Sequence, residues 1–235
     1  MGTIAFSDIF SRAIGLFDDP DISLAYFNDP AKFAKIMRPF LINGKGRFSN
    51  PTILSDQLSV YSAATGETEV RDGTGSATYS VTTVPDDNSL MSFKIAGVPD
   101  PTAEYDPENG TVTFSQEVPV GTECSFEWYF PGAFTQDVTG KASRNLNLSA
   151  IQERVVDILA HCTLLAWAER SKNFILEIRN LLNDTDFNLH SPGSTTSSKV
   201  EWYNNLKWEV DELTCSLSWD VSTNYQRGYV FGGSR

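Results

Sequence analysis

Apolar residues recur every three or four positions from the start of the chain: Ile4, Phe6, Ile9, Phe10, Ala13, Ile14 and Phe17. That spacing predicts an amphipathic helix, with Ser7 as its N-cap and Asp18-Asp19-Pro20 as its end, because the residue before a proline leaves the α region. Asn28-Asp29-Pro30 offers a second start, a cap followed by proline at the first helical position. From there Phe33, Ile36, Met37, Phe40 and Leu41 form a stripe that runs to Asn43-Gly44-Lys45-Gly46. Pro39 lies inside it and predicts a kink or a stop. Ser49-Asn50-Pro51 opens a third, shorter helix carrying Ile53, Leu54, Leu58 and Tyr61.

The period changes near residue 62. Thr, Val, Gly, Ser and aromatics dominate, and short segments alternate: Tyr79, Val81 and Thr83 within 76–84; Met91, Phe93 and Ile95 within 91–96; Val112 and Phe114 within 111–115. In 123–130 the alternation sets Cys124, Phe126, Trp128 and Phe130 on one side. Turn-forming runs separate these segments, including Pro85-Asp86-Asp87-Asn88, Pro99-Asp100-Pro101 and Pro119-Val120-Gly121. Short alternating runs at such intervals predict an antiparallel sandwich or barrel. Asn109-Gly110, between Tyr105 and Val112, is the sharpest hairpin signal in the chain.

Helical spacing returns after residue 140. Leu148, Ile151, Val155, Ile158, Leu159, Cys162, Leu165, Ala166, Phe174, Ile178, Leu181 and Leu182 keep it over one long run. Ser149 with Gln152 is close to a capping box, and Ser171-Lys172-Asn173 is a candidate break. A Ser/Thr-rich loop containing Pro192-Gly193 precedes a last helix with Val200, Trp202, Tyr203, Leu206, Val210, Leu213 and Leu217. Beyond Trp219 the chain reads as an extended tail. The expected fold is therefore α+β: a helical bundle formed by residues 1–61 and 141–219, an inserted antiparallel β-sandwich at 62–140, and a tail at 220–235.

Composition narrows the functional classes. The chain has 235 residues, with 18 Lys+Arg against 30 Asp+Glu. Five Trp, eight Tyr and fifteen Phe are too many for a chain that stays solvated and disordered. No run approaches the roughly 20 apolar residues of a membrane span, so no membrane partner is expected. The first residues lack the basic-then-apolar order of a secretory signal. Phe6 occupies the place where a myristoylation signal after Gly2 wants Ser or Thr. The charge is uneven. Residues 62–140 hold 2 basic and 13 acidic residues, a net of −11, while 1–61 are neutral and 141–235 carry −1. Two readings fit: a well-solvated module with charge-protected strand edges, or an acidic surface that repels nucleic acid or meets a basic partner.

Candidate chemistry is sparse. Cys124, Cys162 and Cys215 are odd in number and far apart, which suggests neither a disulfide framework nor a thiolate zinc site. Cys124 and Cys162 are expected to be buried structural thiols. Of the two histidines, His161 lies in the long apolar helix and is expected to be a hydrogen-bonded structural residue; His190 lies in the loop that follows. Asp184-Thr185-Asp186-Phe187-Asn188 begins as a calcium loop begins, but it lacks the glycine at position six, and Thr195 stands at position twelve. An EF-hand is excluded, and whether Asp184 and Asp186 hold an ion or form a helix-terminating turn stays open. No nucleophile-elbow, zincin, Walker A or dinucleotide motif is present. No catalytic residue, metal ligand or cofactor is expected, and the protein is read as a non-enzyme. Trp128 and Tyr129 suit a sugar platform only if they are exposed, and strand alternation sends Trp128 to the core side.

Three features together resemble the head–tail connector proteins of tailed bacteriophages, the adaptor or neck proteins that form rings below the portal. They are the N-terminal helical segment (Phe6–Phe17, then Ala31–Leu41), the long helix Leu148–Leu182 with its Asp184-Thr185-Asp186-Phe187 turn, and the Ser/Thr loop leading into Lys199-Val200-Glu201-Trp202. The β segment, with Phe93-Lys94-Ile95-Ala96-Gly97 and Phe126-Glu127-Trp128-Tyr129-Phe130, is similar to sandwiches of virion structural proteins. Small connectors lack such an insert. The resemblance implies a virion component assembled in the bacterial cytoplasm, as a homo-oligomeric ring that is often a dodecamer. It also implies contacts with the portal protein and with tail or further neck proteins, and DNA passing through the channel without specific binding. The tail residues Asn224, Tyr225, Tyr229, Val230 and Phe231 are the candidate partner-binding set, adding to a neighbour's surface or sheet edge. The alternatives are a binding module for glycans, a host surface or virion decoration, and a hydrolase.

Overall fold

The computed structural model describes residues 2–17, 20–56, 58–60, 64–82, 85, 88–136, 148–183 and 193–230. The first half holds β1 (Gly2–Ala5), α1 (Phe6–Ile14), α2 (Pro20–Asn28), α3 (Pro30–Lys45), α4 (Thr52–Ser55) and β2 (Leu58–Val60). Strands follow: β3 (Thr65–Asp72), β4 (Thr78–Ser80), β5 (Leu90–Ile95), β6 (Val98–Pro99), β7 (Glu104–Asp106), β8 (Thr111–Thr113), β9 (Glu123–Phe130) and β10 (Ala133–Gln136). Two long helices close the order, α5 (Leu148–Asn183) and α6 (Gly193–Val230). With 47% helix and 26% strand the fold is mixed α+β.

The chain forms two compact units. One comprises Met1–Ile4, Pro39–Ser59 and Thr135–Arg235; the other comprises Ala5–Arg38 and Val60–Phe134. This differs from the division expected at residues 61 and 140, because α1, α2 and the first half of α3 belong with the strands. The reason lies in side-chain chemistry. Asp29 and Lys35, near the start of α3, meet Ser92, Lys94 and Glu127 of β5 and β9, and Arg38 Nε donates to the Pro131 carbonyl at 2.8 Å.

In the strand-containing unit one sheet has the order β3-β9-β5-β6 and another β4-β8-β7. All their paired registers are antiparallel. Tyr79 of β4 and Val112 of β8 share one buried cluster with Phe93 of β5 and with Cys124, Phe126 and Trp128 of β9. The Tyr79, Phe114 and Phe126 rings meet with centroids 5.6–6.1 Å apart. The hairpin expected at Asn109-Gly110 is present, with Tyr105 opposite Val112 and Gly110 at φ 61°, where a side chain would be strained. The strand β3 is an addition to the sequence reading, since its residues are mostly exposed and polar; pairing with β9 along its whole length holds it in place. A three-stranded sheet of order β1-β10-β2 completes the strands.

In the helical unit α5 and α6 run antiparallel. Arg154 pairs with Asp220 and donates to Ser216 Oγ at 2.9 Å, His161 Nε2 stands 3.7 Å from Glu209, and the Trp167 and Trp202 rings meet edge to face. Partner numbers fall along α6 as they rise along α5. The middle of α5 is buried all round, from Ile158 through Leu165 apart from the half-buried His161. The end of α3 and the turn after it reach α5 closely: Arg47 pairs with Glu169, and the Arg170 guanidinium lies 5.7 Å from the Phe40 ring centroid.

Three local expectations are corrected. Ser7 does not cap α1. The helix starts at Phe6 straight after extended Ala5, and the Phe6 N–H finds the Gly132 carbonyl at 3.0 Å instead. Pro39 does not stop α3, because burial of Met37 and Leu41 on either side holds the helix through it. The tail is not extended from Asp220: α6 continues to Val230. Its buried stripe of Leu206, Val210, Thr214 and Leu217 goes on to Val221 at helical spacing, so the packing that holds the helix runs past Trp219. Asp29 does cap α3 as expected, its Oδ1 accepting the Lys32 N–H at 3.1 Å.

Candidate interaction surface

The expected partner-binding residues are placed differently from a free strand. Asn224, Tyr225, Tyr229 and Val230 lie on the last turns of α6, and Phe231 lies outside the described residues. A helix has its backbone groups paired internally, so this segment offers a neighbour no sheet edge. The Asp184–Asn188 turn, with Asp184 and Asp186, and His190 also lie outside the described residues.

The residues with chemical potential in the β segment are engaged internally. Trp128 is 7% exposed, and the Lys35 ammonium stands 5.3 Å from the centre of the Tyr129 ring. Burial raises the thiol pKa of Cys124 and pushes that of Cys162 up to about 12, so both are protonated and unreactive at neutral pH. His161 is held by the Asp157 carbonyl at 2.8 Å from Nδ1, a structural setting. Among the described residues no group of three or more His, Cys, Asp or Glu side chains gathers as a metal ion requires. None of the described helices is long and apolar enough to cross a membrane.

The densest polar network lies where α3 begins. Asp29 Oδ1 accepts from Ser92 Oγ at 2.6 Å, and Asp29 Oδ2 from Lys94 Nζ at 2.6 Å. Lys94 also faces Glu127 at 3.6 Å, and Glu127 takes Lys35 as a second cation. Ser92 Oγ lies 3.0 Å from the Ala31 N–H and accepts from it, which satisfies another free donor of the helix start. Burial pushes the Asp29 carboxyl upward, but the Lys94, Ser92 and Lys32 donors outweigh it and hold the group below the usual range. Ser92 is buried, so the network fixes α3 to the sheet and offers a substrate nothing. It also consumes cations. The strand-containing unit has six basic residues, of which Lys35, Lys94 and Arg71 face carboxylates.

Among the described residues, the two largest exposed apolar side chains lie on α6. Trp208 and Trp219 are 65% and 74% exposed. They are eleven residues apart, three helical turns, so they share one face. Glu201, Asp211, Glu212 and Cys215 are exposed on the same side, opposite the buried Leu206–Val210–Leu217 stripe. Two exposed tryptophans on one face are unusual for a surface that meets only water. Neither was singled out from the sequence; the signal was their position off the core stripe combined with their common spacing. A smaller apolar patch is formed by Leu24 and Phe27 of α2. Compared with known proteins, the chain matches no family model, no curated protein and no solved structure.

Proposed function

We propose that the protein works by contact, as a virion structural component of the head–tail connector kind: a homo-oligomeric ring that joins portal to tail and surrounds the DNA channel. In this view α5, α6 and the second half of α3 form the scaffold, and the strand-containing unit, with α1 and α2 beside its two antiparallel sheets around Tyr79, Phe114 and Phe126, carries the inserted sandwich. The observation that supports it best is the α6 face, where Trp208 and Trp219 stand exposed among carboxylates. Repeated heterologous contact through such a face closes a ring when the rotation between copies permits. A sandwich that binds glycans draws less support, because Trp128 is buried and Tyr129 carries Lys35.

Two outcomes test this. Sedimentation or native mass measurement of the purified chain is expected to give a closed oligomer. A chain that stays monomeric at every concentration would remove the basis for a ring. Truncation after Thr223 removes the candidate set Asn224–Phe231 while keeping Val221, which is 4% exposed and belongs to the core. The shortened chain is expected to retain its helical circular dichroism and to assemble poorly; undiminished assembly would clear those residues of a role.

Charge gives a second expectation. The strand-containing unit carries a net −11 and the helical unit −1, and duplex binding draws its strength from Lys and Arg displacing counterions. The purified protein is expected not to retain duplex DNA in moderate salt, as suits a channel wall that lets DNA slide. Tight, salt-sensitive retention in a filter or gel-shift assay would contradict it.

A further inference from the structure

The α6 face has a complement on the same chain. Exposed positions on α3 are Lys32, Lys35, Ile36, Pro39 and Ile42, which follow helical spacing along one side. Ile36 is 55% exposed, and the Lys32 ammonium has no ion pair among the described residues. Lys35 is shared with Glu127 and remains half exposed. This stripe is basic and apolar, whereas the α6 stripe is acidic and aromatic: Trp208, Asp211, Glu212, Cys215 and Trp219. The lengths match too, since Lys32 to Ile42 and Trp208 to Trp219 each span about 15 Å at the helical rise. Lysines laid over such a stripe meet both carboxylates and indole faces, and cation–π contact adds to the ion pairing. The apolar isoleucines and proline take the remaining tryptophan surface out of water.

We propose that the tryptophan face of α6 is the docking site for α3 of a second copy of this chain. The contact is heterologous: each copy uses α6 toward one neighbour and α3 toward the other. It rests on the ring assembly proposed above and supplies the interface. Two surfaces of opposite chemistry, each unlike itself, disfavour a face-to-face pairing of α6 with α6, because carboxylates would then oppose carboxylates.

The test uses the full chain and two variants, each disabling one stripe at exposed positions. Trp208→Ser with Glu212→Lys disables the α6 face; Lys32→Glu with Ile36→Ser disables the α3 face. Both are expected to melt as the wild type does, since the substituted side chains lie outside the core. Each alone is expected to sediment at the 26.0 kDa protomer mass, while the wild type assembles. Mixed in equal amounts, they are expected to give dimers and nothing larger, because only one intact contact can form per pair. Cys215 supplies an independent readout, as the exposed member of the three cysteines. In assembled wild type its reaction with a bulky maleimide is expected to be several-fold slower than in the α3-face variant. Assembly that persists in either variant, or a mixture that stays monomeric, overturns this interface and leaves the ring itself standing. A wild type that never assembles overturns both.

Discussion

Replacing Gly44 by alanine is expected to destabilise the helical unit, opposite in sign to the usual effect of that change in a helix. Glycine within a helix costs about 1 kcal/mol relative to alanine, so the substitution normally stabilises. At Gly44, however, a Cβ would lie 2.5 Å from the Cys162 carbonyl oxygen, 2.7 Å from its carbon and 3.0 Å from the Thr163 nitrogen. These are backbone atoms of α5, where Cys162 and Thr163 are fully buried, so no side chain can rotate aside. The two helices must separate, and their neighbours must repack. Overpacking of this kind costs roughly 1–3 kcal/mol, and more when backbone must move. The net expectation is a loss of about 2 kcal/mol, a fall in Tm of roughly 4–8 °C for a chain this long. Gly15→Ala is the control. Its backbone is in the ordinary helical region at φ −68°, and its Cβ would meet only the Arg12 oxygen at 3.6 Å. That variant should be neutral or slightly stabilising. A Gly44→Ala protein melting at or above the wild-type temperature would mean that α3 and α5 do not approach as closely as described.

That close approach was invisible in the sequence, where Gly44 reads only as part of a helix-ending Asn-Gly-Lys-Gly run. The contrast with what was legible is physical. Asp29-Pro30 and Asn109-Gly110 carry their instruction within a few residues, and both did what such local chemistry dictates. The strand β9 was readable end to end because one face is buried and the other is not, so its alternation survives in the residue types. Its neighbour β3, with polar residues on both sides, writes no such pattern. Its place follows from hydrogen bonds to β9, which composition does not encode. Residues 220–230 failed for a related reason. Tyr225, Gly228 and Tyr229 are poor helix formers taken one by one, yet α6 runs through them to Val230, and Val221 carries its buried stripe past Trp219. The allegiance of α3 to the strands depends on ion pairs between residues more than sixty positions apart, which no local reading reaches. The α6 tryptophans were visible as residues but not as a surface, since exposure is known only once the core positions are.

Substitution of Asp29 is expected to have the other large effect, and it should depend on pH in a defined direction. Asp29 caps α3 through the Lys32 N–H and binds Ser92 and Lys94 at once. Asp29→Ala removes the cap, worth about 1 kcal/mol, and leaves Lys94 with Glu127 alone at 3.6 Å. Breaking a fully buried ion pair costs about 3–5 kcal/mol. The Lys94 side chain is partly open to water here, so a total of about 3 kcal/mol is expected from cap and pair together. Lys94→Met should cost less, because Asp29 keeps the Ser92 hydroxyl and the Lys32 N–H, whereas Asp29→Ala strands a cation. The carboxyl is held below its ordinary value of 3.8 by these donors, so the stability it contributes is present above that value and is lost as pH falls through the lower folded value. Lys94 is raised above 10.5, chiefly by its hydrogen bond to Asp29; its contribution is present below 10.5 and lost only as pH rises through the higher folded value. Between these limits the pair is intact, so the gap between wild type and Asp29→Asn in urea unfolding should be constant from pH 5 to pH 9 and narrow below pH 4. The asparagine retains shape and an acceptor for the cap, which isolates the charge from the geometry. A gap that stays constant to the lowest pH at which the protein folds would show that the Asp29 carboxyl titrates alike in the folded and unfolded chain, so that its Lys94, Ser92 and Lys32 donors do not hold it ionised.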